Sequence, residues 1–209
     1  MRPNEAPLSH EESLQLIGRM IQASRQEARD DGRRWIIWGW LLFATCLCSW
    51  LNLRYFWVDT WFFWNLFGVV SLGLLLIDIL QRLFRGSPRR VRTQATDLYR
   101  KLNVGFFISL VLLILSINKG VDPRKGFALM LGLYGFWILI YGAVTDFRPS
   151  VIGAFITFGF AFASLFVVDF RTTLLLHAAA VLAGYIIPGH LAYRAFRKNR
   201  ASQSVPTGV

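Results

Sequence analysis

Groups that do chemistry are scarce in this chain. Two cysteines, three histidines and twelve acidic residues serve 209 positions. Cys46 and Cys48 lie two apart in one apolar run, so a helix points them about 200° apart. Neither a mutual disulfide nor a shared metal site fits that spacing. There is no G-x-x-x-x-G-K-[ST], no H-E-x-x-H, no G-x-S-x-G and no paired-cysteine metal spacing. These absences argue against an enzyme, and no cofactor or metal is expected. Polar sequence between the apolar runs is equally sparse, and the segments Arg54–Asp59, Lys119–Lys125 and Asp169–Arg171 are too short to fold alone. That excludes a receptor or secreted-type domain built from them.

What the chain does have is apolar sequence. Hydrophobic residues make up 55% of it, against about 45–50% in soluble domains. The charges are clustered, which leaves long stretches without any. Six runs are long enough to cross a bilayer, which takes roughly 20 residues and about 17 at the least. They are Trp35–Leu53, Thr60–Gln81 (interrupted by Asp78), Leu102–Asn118, Gly126–Thr145, Pro149–Val168 and Thr172–Tyr193. Their interiors are apolar all round, as lipid-facing helices require, and no alternating ten-residue pattern of a β-barrel occurs. The expected fold is all-α: a six-helix transmembrane bundle over residues 35–193, preceded by a cytoplasmic segment 1–34 and followed by a basic tail 194–209.

A net charge of +11 invites a nucleic-acid reading, but the basic residues sit at the ends of apolar runs, where they fix topology. With six spans and the N-terminus inside, eighteen Lys and Arg fall on the cytoplasmic side and five outside. Both termini are therefore expected in the cytoplasm. The first 34 residues hold six acidic residues and no early apolar run, so no cleavable signal is expected. Trp35, Trp38 and Trp40 mark the inner end of the first span. Trp50, Tyr55, Phe56, Trp57, Trp61 and Trp64 crowd its outer end and the start of the next, as an interfacial belt does.

Cytoplasmic material comes in three pieces. Ser9 and Glu12 have the spacing of a capping box, and an amphipathic helix is expected over 9–31. Leu14, Ile17, Ile21, Ser24 and Ala28 form its stripe. Such a stripe packs under the bundle, binds a protein or lies on lipid, and its balanced charge disfavours lipid. The Arg82–Lys101 loop carries Arg82, Arg85, Arg89, Arg90 and Arg92 around a Gly-Ser-Pro turn. It sets topology and would attract anionic headgroups, about 1 kcal/mol per charge near the surface. The third piece, the tail, reads as solvated.

Ionisable residues inside spans are costly, so each is a functional candidate. Asp78 has Arg82 four residues on, an interfacial pair that would account for it. His177 lies near the outer end of the sixth span and His190 near its inner end, roughly 20 Å apart along the axis, so they share no ligand. Pro188 removes a backbone donor and frees the carbonyl of Gly184, a kink that serves as static bend, hinge or binding notch. Ala128/Gly132, Gly159/Ala163, Ala179/Ala183 and Ala180/Gly184 have the four-residue spacing of close helix contacts.

The stretches Trp35-Ile-Ile-Trp-Gly-Trp-Leu, Phe147-Arg-Pro-Ser-Val-Ile-Gly and Tyr185-Ile-Ile-Pro-Gly-His-Leu resemble an uncharacterised family of small bacterial multi-pass inner-membrane proteins. The resemblance implies a bacterial inner-membrane location and supplies no activity. The expected function is a non-enzymatic regulatory or scaffolding partner acting through the cytoplasmic helix. The alternative is a small ion- or proton-coupled transporter using Asp78, His177, Pro188 or His190. Oligomerisation stays open.

Overall fold

The computed structural model describes residues 32–85 and 94–203, together with Gln15 and Gly18. Helices account for nearly all of this, and no strand occurs among the described residues. In order they are α1 (Arg33–Tyr55), α2 (Phe62–Arg85), α3 (Gln94–Asn118), α4 (Pro123–Thr145), α5 (Arg148–Leu165) and α6 (Phe170–Val181). A π-helical segment, Leu182–Ile186, then joins α6 directly to α7 (Ile187–Gln203). The helix expected over 9–31, with Leu14, Ile17 and Ile21, lies outside the described residues apart from Gln15 and Gly18, which are helical and exposed.

Local chemistry explains where the helices stop. The chain leaves α1 through Phe56 in a left-handed conformation (φ 52), whose N–H bonds to the Asn52 carbonyl. The buried Asn52 side chain then organises the turn: its Nδ2 donates to the carbonyls of Val58 and Asp59 at 3.0 and 3.2 Å, and its Oδ1 accepts from the Val58 N–H at 3.0 Å. Asp122 caps α4 by accepting from the Arg124 N–H, with Pro123 in the first turn where a missing N–H costs nothing. Asp169 caps α6 in the same way through the N–H groups of Arg171 and Thr172.

The core is made by α1, α4, α5 and the last helical stretch. α4 and α5 form a tight antiparallel hairpin. A methyl on Gly142 would come within 2.8 Å of Val151, and one on Gly135 within 3.1 Å of Phe158. Both meetings keep one register seven residues apart, so Gly135 and Gly142 lie along the α4–α5 seam. α1 runs beside α6 and the π segment. Leu42, Met130, Leu131, Tyr134, Ala161, Ala180, Val181 and Ile186 close the centre.

α2 and α3 are peripheral. α2 packs on α1, and α3 packs on α4. No residue of Lys101–Asn118 is fully buried, and Val104, Phe107, Ile108, Val111 and Leu112 are exposed. Among the described residues, five helical stretches are long and apolar enough to cross a membrane: Trp35–Tyr55, Lys101–Asn118, Pro123–Thr145, Arg148–Leu165 and Phe170–Lys198. Within α2, Phe62–Leu74 is a further apolar helical stretch among the described residues. Exposed Leu, Val, Ile and Phe on this scale would be untenable in water and are ordinary against hydrocarbon.

Candidate site around His177 and the last helix

His177 is wholly buried on the inward face of α6, with Thr173, Leu174, Ala178 and Val181. It lies eight residues beyond the capping Asp169, about 12 Å down the helix axis. Three rings surround it: Phe127 at 5.4 Å between centroids, Tyr134 at 5.7 Å and Trp64 at 6.1 Å, all steeply inclined to the imidazole. Trp61 and Phe127 both lean on Phe170 towards the loop end.

Neither ring nitrogen of His177 has a hydrogen-bond partner among the described residues, and neither has Trp64 Nε1. Several other buried polar groups of the bundle are satisfied. Thr173 bonds to the Asp169 carbonyl, while Thr45, Thr145, Thr157 and Ser164 each reach the carbonyl four residues back. Ser49 and Ser71 share the unpaired state of His177. An unpaired buried donor or acceptor costs about 1–3 kcal/mol, so two nitrogens on one side chain are a concentrated expense.

The opposite end of the bundle is held by close backbone approach. Gly32 has φ 76, a conformation glycine adopts freely. A methyl there would strike the Gly189 carbonyl at 2.6 Å. One on Gly189 would meet Trp35 and Ile36, and one on Gly39 would meet Ile186. Trp35 inserts between Tyr141 and Tyr185, at 4.6 and 4.8 Å. Arg33 lies over the Tyr193 ring at 5.6 Å. The first turns of α1 are thus clamped to the π segment and α7.

Pro188 takes a specific form here. Rather than leaving a plain gap in an α-helix, the chain winds Leu182–Ile186 as a π turn, with the Ile187 N–H bonding to the Leu182 carbonyl. The wider turn moves the peptides ahead of the proline towards α5. A methyl on Gly153 would come within 3.0 Å of the Ala183 carbonyl and 3.2 Å of Pro188 Cγ. Gly184 packs on Thr157 and Ile138. Of the small-residue pairs expected at contacts, Ala180/Gly184 is buried, whereas Gly132 and Gly159 have open space where a side chain would go.

The remaining candidates are dispersed. His190 is exposed, and its Nδ1 lies 2.8 Å from the Ile186 carbonyl of its own helical stretch. Asp78, Arg82 and Arg85 belong to α2, but their side chains lie outside what is described, as do Arg89, Arg90 and Arg92 altogether. Among the described side chains, His177 is gathered with three aromatics and not with His190, which sits on its own helical stretch. Trp64, Phe127 and Tyr134 were not foreseen as its neighbours. Among the described residues, no three His, Cys, Asp or Glu side chains converge.

At the loop end, Arg124 makes a bidentate ion pair with Asp122 and donates to the Val168 carbonyl. It ties the turn before α4 to the turn before α6. Hydrogen bonds from Arg124 hold the Asp122 carboxyl below the ordinary carboxylate range.

Compared with protein-family models, with curated proteins and with solved structures, the chain matches none.

Proposed function

We propose that this chain is a six-span protein of a bacterial inner membrane, with both termini in the cytoplasm. It works without catalysis, as a regulatory or scaffolding partner that engages another protein through its N-terminal amphipathic segment. Six spans follow if α2 crosses alongside the five longer apolar stretches. The orientation draws on the excess of Lys and Arg in the segments assigned to the cytoplasm.

The observation that carries this reading is the clamp at Gly32. A helix that only filled space under the bundle would need no rigid attachment. Here the backbone leaving the segment is seated on Gly189, and Arg33 on Tyr193. On this reading a partner bound to the segment would act on α7 and the π turn through Gly32 and Arg33. Such irregular turns recur at functional sites, and the last span holds this one at Leu182–Ile186.

The test is purification of the tagged chain from its native membrane under mild solubilisation, beside a version lacking residues 1–31. A stoichiometric partner is expected with the full chain and lost with the truncation. Two identical partner-free preparations would sink the regulatory reading.

The transporter reading draws on a different observation, the unpaired His177 in the interior. It expects solute uptake that depends on a proton or ion gradient, abolished by Asp78→Asn. Uptake indifferent to both the gradient and that substitution would remove it.

A further inference from the structure

We infer that one exposed face of α7, from Ile187 to Lys198, binds an anionic phospholipid. The phosphate lies at Arg194 and Lys198, and an acyl chain runs along Leu191 and Ile187. This goes beyond the regulatory reading and rests only on the last helical stretch crossing a membrane.

Sequence spacing puts the two halves of that ligand's chemistry in line. Ile187, Leu191, Arg194 and Lys198 follow one another at four-, three- and four-residue steps, which keeps them on one side of a helix. All four are exposed, whereas Pro188 and Gly189 are turned to the bundle and buried. Along this face the exposed residues change from apolar to basic between Leu191 and Arg194. That change falls where the hydrocarbon ends. The stretch Phe170–Lys198 has 29 residues, a length of about 43 Å against a hydrocarbon layer of about 30 Å. Its other end starts in the polar turn capped by Asp169, so its last two turns stand among headgroups.

Basic groups of two other helices come level with this one. Arg33 of α1 lies over the Tyr193 ring at 5.6 Å. α5 runs antiparallel to the last stretch, with Thr157 beside Gly184 and Gly153 beside Pro188. Arg148, five residues before Gly153, therefore reaches the level of Tyr193. Arg33, Arg148, Arg194 and Arg197 are all exposed. Asp146, exposed in the turn before α5, offsets one of them, and no acidic residue follows Asp169 in the chain. A phosphate gains charge-assisted hydrogen bonds at such a surface. A zwitterionic headgroup brings its own cation and gains less. An acidic protein segment would match the charges yet has no use for the apolar residues that continue the same face.

The experiment is native mass spectrometry of the full chain in detergent, titrated with dioleoyl phosphatidylglycerol or with phosphatidylcholine of the same acyl chains. The first phosphatidylglycerol is expected to bind more tightly than the first phosphatidylcholine. Arg194→Gln and Lys198→Gln together should weaken phosphatidylglycerol roughly tenfold or more and leave phosphatidylcholine unchanged. Lys119→Gln and Lys125→Gln together remove the same charge from exposed positions at the other end and should change neither. Glycerol phosphate, the headgroup chemistry without acyl chains, should not displace the lipid. Equal affinity for the two lipids, or equal losses in the two double variants, would overturn the site. Displacement by glycerol phosphate at matched concentration would also overturn it, in favour of a free anion. Melting curves of both variants, taken alongside, show that each is folded when its binding is read.

Discussion

At the scale of single residues, the side chains that matter most are those holding or lacking hydrogen bonds in a place without water. His177 carries two unpaired nitrogens among rings, so His177→Phe should raise the thermal midpoint of the detergent-solubilised chain by removing a desolvation cost of about 1–3 kcal/mol. A lower midpoint would mean that those nitrogens are in fact satisfied. Asn52 is the opposite case, with three hydrogen bonds to the turn at Val58 and Asp59. Asn52→Ala should lose about 1–3 kcal/mol and loosen that turn, read as a lower midpoint and faster proteolysis between α1 and α2. Asp122 has a pH signature. Its folded carboxyl titrates below the ordinary range because of Arg124, so its contribution is present at neutral pH and disappears as pH falls through that lowered value. The parent should lose more thermal stability between neutral and strongly acidic pH than Arg124→Ala does. An equal acid loss in both would show that the pair adds nothing.

At the scale of helices, the last stretch decides most of the packing. Gly153→Leu should disrupt the seam between α5 and the π segment, because even its Cβ would sit 3.0 Å from the Ala183 carbonyl and 3.2 Å from Pro188 Cγ, leaving no room for the rest of the side chain. Gly159→Leu, on an open face of the same helix, should be tolerated. Comparable amounts of folded protein from both variants would contradict the seam. This scale also shows what was legible from sequence. Charge-free runs mark where the long helices lie, since a bilayer demands length and apolar character of one continuous segment. Pro188 and Gly184 flagged an irregularity in the last helix, but the i→i+5 winding depends on how α5 accommodates the freed peptides, which no local pattern encodes. His177 was visible as an ionisable residue in an apolar run. Its neighbours were not, because Trp64 reads as one more interfacial indole until the fold brings α2 against α4 and α6. The same holds for Gly153, whose role depends on a partner thirty residues away. The N-terminal stripe and residues 86–93 of the basic loop are pure sequence inferences, since they fall outside the described residues, while α2 and α3 take up the two ends of that loop.

At the scale of the whole molecule, the account is of a bundle with a closed centre, two peripheral helices and a clamp joining the first turns of α1 to α7. Orientation is testable without knowing the function. In a chain with Cys46 and Cys48 replaced by alanine, Lys119→Cys should react with a membrane-impermeant thiol reagent on intact spheroplasts. Ser204→Cys should react only after permeabilisation, and the reverse pattern would invert the topology. The central claim, that the N-terminal segment engages a partner and is mechanically joined to the bundle, is tested most directly by site-specific photo-crosslinking in intact cells. Photoreactive residues at Ile17 and Ile21, on the stripe, should yield a product heavier by one second polypeptide, while one at Gln22, off the stripe, should not. Crosslinks confined to the chain itself, or equal at all three positions, would contradict the claim.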